Sequence, residues 1–532
     1  MPVIAVLGLV AGSAITAAGG SSSAPAWAAN PRIDHAGDLV ARVLGKTGTV
    51  SGSSGTGLSG SSCKAETSTT GNVQVNCVGE DGTSPQNTQS ETSVSASGSK
   101  VVVGFNDSLV CCRPGINFTG YSVSNDGGAT FTDEGDLPFL NTVQPIGDPT
   151  VAHDDQGNFY FASIALSSTG FGDESLVSFY KMAAGSNSFQ LVSVPVNVGD
   201  SKRFFADKEY LAVGRDGNGQ THFYITWTFF SANPQSPIML TDSTDGVSWR
   251  TTMVSAPTAC AQASNPVPAA GTGTVYVSWE EQTPAACANA HITTQFAKMA
   301  TVDASSGTAT VKAITTIAAI NGGGDAIVAC NNAADLREVI ETAPGHDVRN
   351  FEMPTTTIDS NGVLYAAWND RPSGVGGTNA NATRIFFSFS TDGNVTWSAP
   401  QVISGRLNRN IMNDRFQPWI TTDSSGVHAM WYERVAGNSE DQVRTDKADL
   451  SLATVNQGPR VVSGESQISS VTFPVVQTNP NQDPVIANCY MGDYNNIGSN
   501  GSRRFVTWGD NRNVVTTSSG VENQPDVFLQ SY

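Results

Sequence analysis

The stretch Glu352-MPTTTIDSNGVLYAAW-Asn369-Asp370 decides the reading of this chain. A short β-favouring run enters an Asp/Gly turn and returns as an alternating apolar-aromatic run that ends in Trp and an acid. Period-two alternation in VLYAAW is the signature of a half-buried strand, so the unit is a β-hairpin. The plan recurs in Phe416-QPWITTDSSGVHAMW-Tyr432-Glu433, Asp148-PTVAHDDQGNFYFASIA and Asp207-KEYLAVGRDGNGQTHFYITW. Weaker copies begin at Glu91, Asn265 and Asp493. Copies starting near 91, 148, 207, 265, 352, 416 and 493 leave room for four strands and their loops per unit. A repeat of this kind predicts an all-β fold, a single β-propeller of four-stranded blades, seven blades favoured and six the alternative. A row of β-sandwiches with similar hairpins is the competing architecture.

Composition agrees. Of 532 residues only 14% are charged and 53 are Gly, a profile of turns and short strands and not of helical bundles. With 47 acidic against 28 basic residues the net charge is −19, which excludes nucleic acid and anionic membrane surfaces as partners. No internal stretch reaches the length of a membrane span. Residues 1–29 read as a secretory signal peptide, an apolar run closing on Ala26-Trp27-Ala28, although no basic residue precedes the run. A secreted, extracellular and monomeric protein is therefore expected.

Residues 30–85 read as a flexible Gly/Ser-rich extension containing Cys63 and Cys77, with a short helix around 38–44, and residues 86–532 as the propeller. Cys63 with Cys77, and Cys260 with Cys287, are spaced to close small loops. The pairing of Cys111, Cys112, Cys330 and Cys489 stays open.

A second motif interleaves with the first. Ser124-Asn125-Asp126-Gly127-Gly128-Ala129-Thr130-Phe131, Ser243-Thr244-Asp245-Gly246-Val247-Ser248-Trp249 and Ser390-Thr391-Asp392-Gly393-Asn394-Val395-Thr396-Trp397 share one pattern. It resembles the Asp box, or BNR repeat, of the sialidase superfamily of β-propellers. The Asp accepts backbone N–H bonds across a turn, Gly supplies positive φ and the aromatic plugs between sheets, so the motif is structural. In that superfamily it lies between the third and fourth strands of a blade, away from the active face.

In such a hairpin repeat, the starts of first strands and the ends of second strands share one face. The acids and arginines there form a charged central mouth, the expected site. The recurring Trp368-x-Asp370-Arg371, Trp431-x-Glu433-Arg434 and Trp508-x-Asp510-x-Arg512 sets read as structural braces. Residues unique to one repeat are better candidates for chemistry.

The resemblance implies a glycoside hydrolase of exo-alpha-sialidase type, with Tyr494 (or Tyr490) as nucleophile, Glu352 as the partner of Tyr494 and Asp148 or Asp107 as acid. It implies Arg415 and Arg349 as clamps for a substrate carboxylate, with Lys208, Gln417 and Trp419 also binding substrate. Trp419, Tyr432 and Tyr494 read as exposed rings for sugar stacking, and Trp279, Trp368, Trp431 and Trp508 as core. The Phe-Arg-Ile-Pro motif of sialidases is absent, which leaves the acidic or other glycan substrate open. No cofactor and no metal site is expected. The alternative function is a non-catalytic propeller that binds carbohydrate or protein at the same mouth.

Overall fold

The computed structural model describes residues 71–77, 84–109, 118–138, 143–167, 174–283, 295–333, 335–341, 345–372, 382–405, 413–435, 442–454 and 457–532, with Pro25, Cys287 and the backbone of residues 63–64. The expected signal peptide, the short helix and the Cys111-Cys112 pair lie outside the described residues.

Every regular element among the described residues is a strand. Seven sheets begin with the predicted first strands: Gln89–Ser97, Gln144–His153, Phe204–Arg215, Cys260–Pro268, Thr355–Ile358, Arg415–Asp423 and Asn496–Ser499. Within each sheet the strands follow in chain order, each antiparallel to the one before, except that Cys63–Lys64 adds to the outer strand Thr132–Asp136 of the first sheet and Val73–Gln74 to that of the seventh. An eighth, three-stranded sheet (Ala326–Ala329, Leu336–Ile340, Val348–Arg349) is inserted between the fourth and fifth.

The first strands pack beside one another in sequence, and that of the seventh sheet packs beside that of the first. The seventh sheet has an outer strand from the other end of the chain. Val73–Gln74 pairs with the final strand, Val73 opposite Leu529 and Gln74 opposite Phe528. Radial antiparallel sheets around a common axis make this a β-propeller.

Apolar residues of facing sheets fill the gaps between them. Trp279, Trp368, Trp431 and Trp508 are all buried there, as their alternating positions predict. Each buried ring of this size contributes on the order of 3 kcal/mol.

The Asp boxes take the expected place. Those at Asp126, Asp245 and Asp392 follow the third strands Thr119–Ser124, Ile238–Ser243 and Arg384–Ser390 and precede the fourth. Asp392 Oδ1 accepts the amides of Val395 and Thr396 at 3.1 and 2.9 Å, and its Oδ2 accepts the Thr396 hydroxyl at 2.6 Å. Asn394 stands where the first box has Gly and holds φ at 73°. Asn is the residue best able to replace Gly there, and its Oδ1 also accepts the Trp397 indole N–H at 2.8 Å. Phe131 packs into the core shared with the seventh sheet, while Trp249 packs on Phe179 of the second.

Cys260 and Cys287 are bonded as expected from their spacing, and Cys330 pairs with Cys489. Cys77 is also disulfide-bonded.

Candidate functional site

Five first strands carry the same irregularity near their start. Glu91, Asp148, Lys208, Ala263 and Gln417 lie in the left-handed region, with φ of 53, 52, 46, 57 and 50°. Each sits at a register shift between the first and second strands of its sheet. A bulge of this kind re-aims the side chain, and a non-Gly residue held there costs about 1–3 kcal/mol. Repeated strain at one ring of positions marks this end of the axis as the candidate site. Asp148, Lys208 and Gln417, singled out from the sequence, are three of the five.

The segment 489–495 crosses this ring and ties it together. Arg349 forks onto Asp493, Nε to Oδ1 at 2.7 Å and Nη2 to Oδ2 at 2.6 Å, and Lys208 Nζ reaches the same Oδ2 at 3.1 Å. The Asp493 amide donates to Glu91 Oε1 at 3.0 Å. Asn106 donates to Glu91 Oε2 at 2.8 Å and accepts the Asp148 amide at 3.1 Å. Gln417 donates to the Gly492 carbonyl at 2.6 Å and accepts from Asn495 at 3.0 Å. Gly492, at φ 91°, passes so close to the first strand that a Cβ would lie 3.3 Å from the Glu91 amide nitrogen.

Aromatic rings complete the ring of residues. Tyr210 packs against Trp419 and Tyr494 with centroids 5.5 Å away in each case. Lys208 lies over Phe351 and Tyr494, and Arg349 over Phe351 and Tyr490. Burial, reinforced by the Glu91 and Asp148 carboxylates, pushes the Tyr494 phenol well above its usual range, so the ring is neutral. Burial and the Glu91 and Asp493 carboxylates do the same to Tyr490.

The expected mouth is thus a largely buried polar centre. Trp419 is 9% exposed, Tyr494 2% and Tyr432 0%, which corrects the expectation of exposed rings. Tyr432 is held inward by hydrogen bonds to the Gly509 carbonyl and to Asn495, and its ring packs on Phe416 and Phe473.

The remaining candidates fall elsewhere. Glu352 makes no hydrogen bond to Tyr494; its carboxylate accepts from Gly323, Asn350 and Gln295. Asp107 points away from Asn106 across the strand, accepts from Gln89 and Leu109, and is pushed up by burial. Arg415 is buried between Glu433 and Glu465, at 3.1 and 3.0 Å, in a cluster that also contains Arg444 and Asp446. The recurring braces bridge rather than react: Arg371 and Arg434 both bond Asp414 and Asp325, and Arg512 bonds Asp510 at 2.5 Å.

Asn106, expected at the mouth, and Tyr490, the alternative nucleophile, both lie in this ring, and so does Tyr210, which no sequence motif singles out. A separate cleft of about 650 Å³ lies on the opposite face, between the turns at Asp154, Asp216 and Gly271.

No family model and no curated protein matches the chain. Among solved structures it is similar to a GH93 alpha-L-arabinofuranosidase of Fusarium graminearum, at 11% identity and a TM-score of 0.43, over 68% of this chain and 92% of that one. It is also similar to the phage phi92 endosialidase, at 10% identity and a TM-score of 0.40, over 89% and 69%. A Trypanosoma rangeli sialidase aligns at 9% identity and a TM-score of 0.38, over 66% and 53%. The propeller fold of the chain rests on its own cyclically packed sheets. Activity does not follow from that fold.

Proposed function

We propose that this chain is a secreted, seven-bladed propeller that acts on acidic glycans as a glycoside hydrolase. The cyclic packing of seven first strands supports the blade count, with the outer strand of the last blade supplied by Val73–Gln74. Two disulfides and the signal-like leader support export.

The observation that carries the activity is the convergence of Arg349 and Lys208 on one carboxylate, that of Asp493. A guanidinium fork and an ammonium aimed at one point make the geometry that recognises a carboxylate. An acidic sugar ring would take the position next to Tyr210, Trp419 and Tyr494. Tyr494, a neutral phenol, is the nucleophile in this reading, and Asp148 the acid. Glu91, whose Oε1 accepts the amide of Asp493 beside Tyr494, replaces Glu352 as the carboxylate next to Tyr494.

A second reading is a non-catalytic glycan-binding propeller. It is favoured by the fact that Asp493 already engages both cations within the fold. Assay of the purified protein on sialosides and other acidic glycans, with Tyr494→Phe and Arg349→Ala, separates the two. Turnover abolished in both variants supports the hydrolase. Saturable binding without turnover across the panel leaves only the binding module.

A further inference from the structure

A second polar cluster lies where the inserted three-stranded sheet meets the fifth sheet. Glu338, on Leu336–Ile340, and Glu352, just before Thr355–Ile358, are both 0% exposed, and Asp370, ending Leu364–Asp370, is 4% exposed. The N–H donors to them among the described residues are all amides, and the Glu338 and Glu352 carboxyls also lie against each other. Glu338 Oε1 accepts from Gly324 and from Asn350, the latter at 3.3 Å. Glu352 Oε1 accepts from Gly323 at 2.7 Å and Asn350 at 2.7 Å, and its Oε2 from Gln295 at 2.9 Å. Asp370 Oδ1 accepts the amides of Asn321 and Arg371. No lysine or arginine pairs with any of the three carboxyls among the described residues.

The contrast with the other acidic cluster is instructive. Glu433, Asp446 and Glu465 hold oxygens within 4.8 Å of one another, but Arg415 and Arg444 bridge them. Buried carboxyls without a cation are costly to keep ionised.

The amides around Glu352 also leave oxygens over. Asn350 Nδ2 donates to both glutamates, so its Oδ1 must accept, and it accepts from Asn369 Nδ2 at 3.0 Å. That fixes Asn369 Oδ1 as an acceptor with no donor, and the Gln295 bond to Glu352 fixes Gln295 Oε1 in the same way. Glu338 Oε2 likewise has no donor. Gln295 and Asn369 are 0% exposed, so water does not serve them from bulk. Three buried oxygens that lack a donor thus belong to one hydrogen-bonded cluster, next to carboxyls that lack a cation.

We infer that Glu338, Glu352, Gln295 and Asn369 form a buried site for a hard divalent cation of the calcium class. The donor set is all oxygen, with two carboxylates and two amide carbonyls, as calcium prefers, and contains no His or Cys for a softer metal. Such an ion would pin the inserted sheet, and with it Arg349, to the fifth sheet. The inference stands apart from the proposed hydrolase activity.

The test begins with metal analysis of the purified protein, followed by chelation with EDTA and titration with calcium chloride. One calcium per chain is expected, with a higher Tm on calcium addition and terbium emission sensitised by neighbouring Trp368 that excess calcium displaces. Glu338→Gln and Glu352→Gln should each weaken calcium binding at least about tenfold, and Glu465→Gln, in the arginine-bridged cluster, should not. Metal-free protein whose Tm and terbium signal ignore calcium would show the glutamates merely share a proton and overturn the site. Equal calcium affinity in Glu338→Gln and the unmodified chain would overturn it too. The metal content of the unmodified protein decides the matter even where a variant fails to fold.

Discussion

Arg349 and Asp493, 144 residues apart, form a two-pronged ion pair buried at 1% exposure each, and it joins the inserted sheet to the segment leading into the seventh. Lys208 completes the pair from the third sheet. Breaking one member strands the other two charges in a low-dielectric interior. Asp493→Ala should therefore destabilise the protein by about 3–5 kcal/mol, read by urea unfolding. Arg349→Ala combined with Asp493→Ala should cost less than the sum of the two single changes. Additive losses would show that the pair is not coupled.

The closure strand gives a different kind of prediction. Val75 is fully buried, and its amide bonds the Val527 carbonyl, continuing the pairing of Val73–Gln74 with Phe528 and Leu529. Asn76 adds a bond to Asp526 at 2.8 Å. Deleting residues 1–77 would bare the final strand as an unpaired apolar edge. The truncated chain should self-associate, seen as earlier elution and light scattering, with a Tm at least several degrees lower. A monomeric truncation of unchanged Tm would contradict the strand's role.

The Asp boxes make the fold acid-sensitive in a defined window. Hydrogen bonds from Thr396 hold the Asp392 carboxyl at about 2, below its usual 3.8, and Asp126 is lowered in the same manner. A carboxylate lowered by folding stabilises the native state above its unfolded pKa and loses that contribution as pH falls through the folded value. Stability should thus decline between roughly pH 4 and 2, and Asp392→Asn should flatten that decline. The side chain is exposed, so the effect is modest. An identical acid profile in the variant would exclude the box as a source.

How much of this was legible in the sequence follows from what repeats. The hairpins, the Asp boxes and the four buried tryptophans were readable because each recurs with fixed spacing, and Cys260 with Cys287 because they are near in sequence. Asp148, Lys208 and Gln417 were readable as strand starts, but the bulge that turns them inward leaves no residue signature; Ala263 shares it. The partners of Glu352 could not be read, because Gly323 and Asn350 lie in an insertion outside the repeat. Arg415 shares the strand-start position of Lys208 and Gln417, yet it is buried between Glu433 and Glu465. Its partner Glu465 lies on the outer strand Val461–Gln467, where no motif points. Burial of Trp419 and Tyr432 could not be read, since it depends on the segment 489–495 crossing the axis.

That crossing segment is anchored by Cys330–Cys489, which closes over a separation of 159 residues. The Cys489 carbonyl accepts the Arg349 amide at 2.8 Å, and Asp493 follows four residues later. The disulfide therefore fixes both halves of the central ion pair to one point. Losing it frees a long loop in the unfolded chain, so Cys330→Ser with Cys489→Ser should cost about 2–5 kcal/mol. It should also loosen the centre locally. Hydrogen exchange at the amides of Arg349 and Asp493 should rise more than at Trp279, in the fourth sheet. A uniform rise across all sheets would mean that the disulfide stabilises the whole propeller without positioning Arg349 and Asp493.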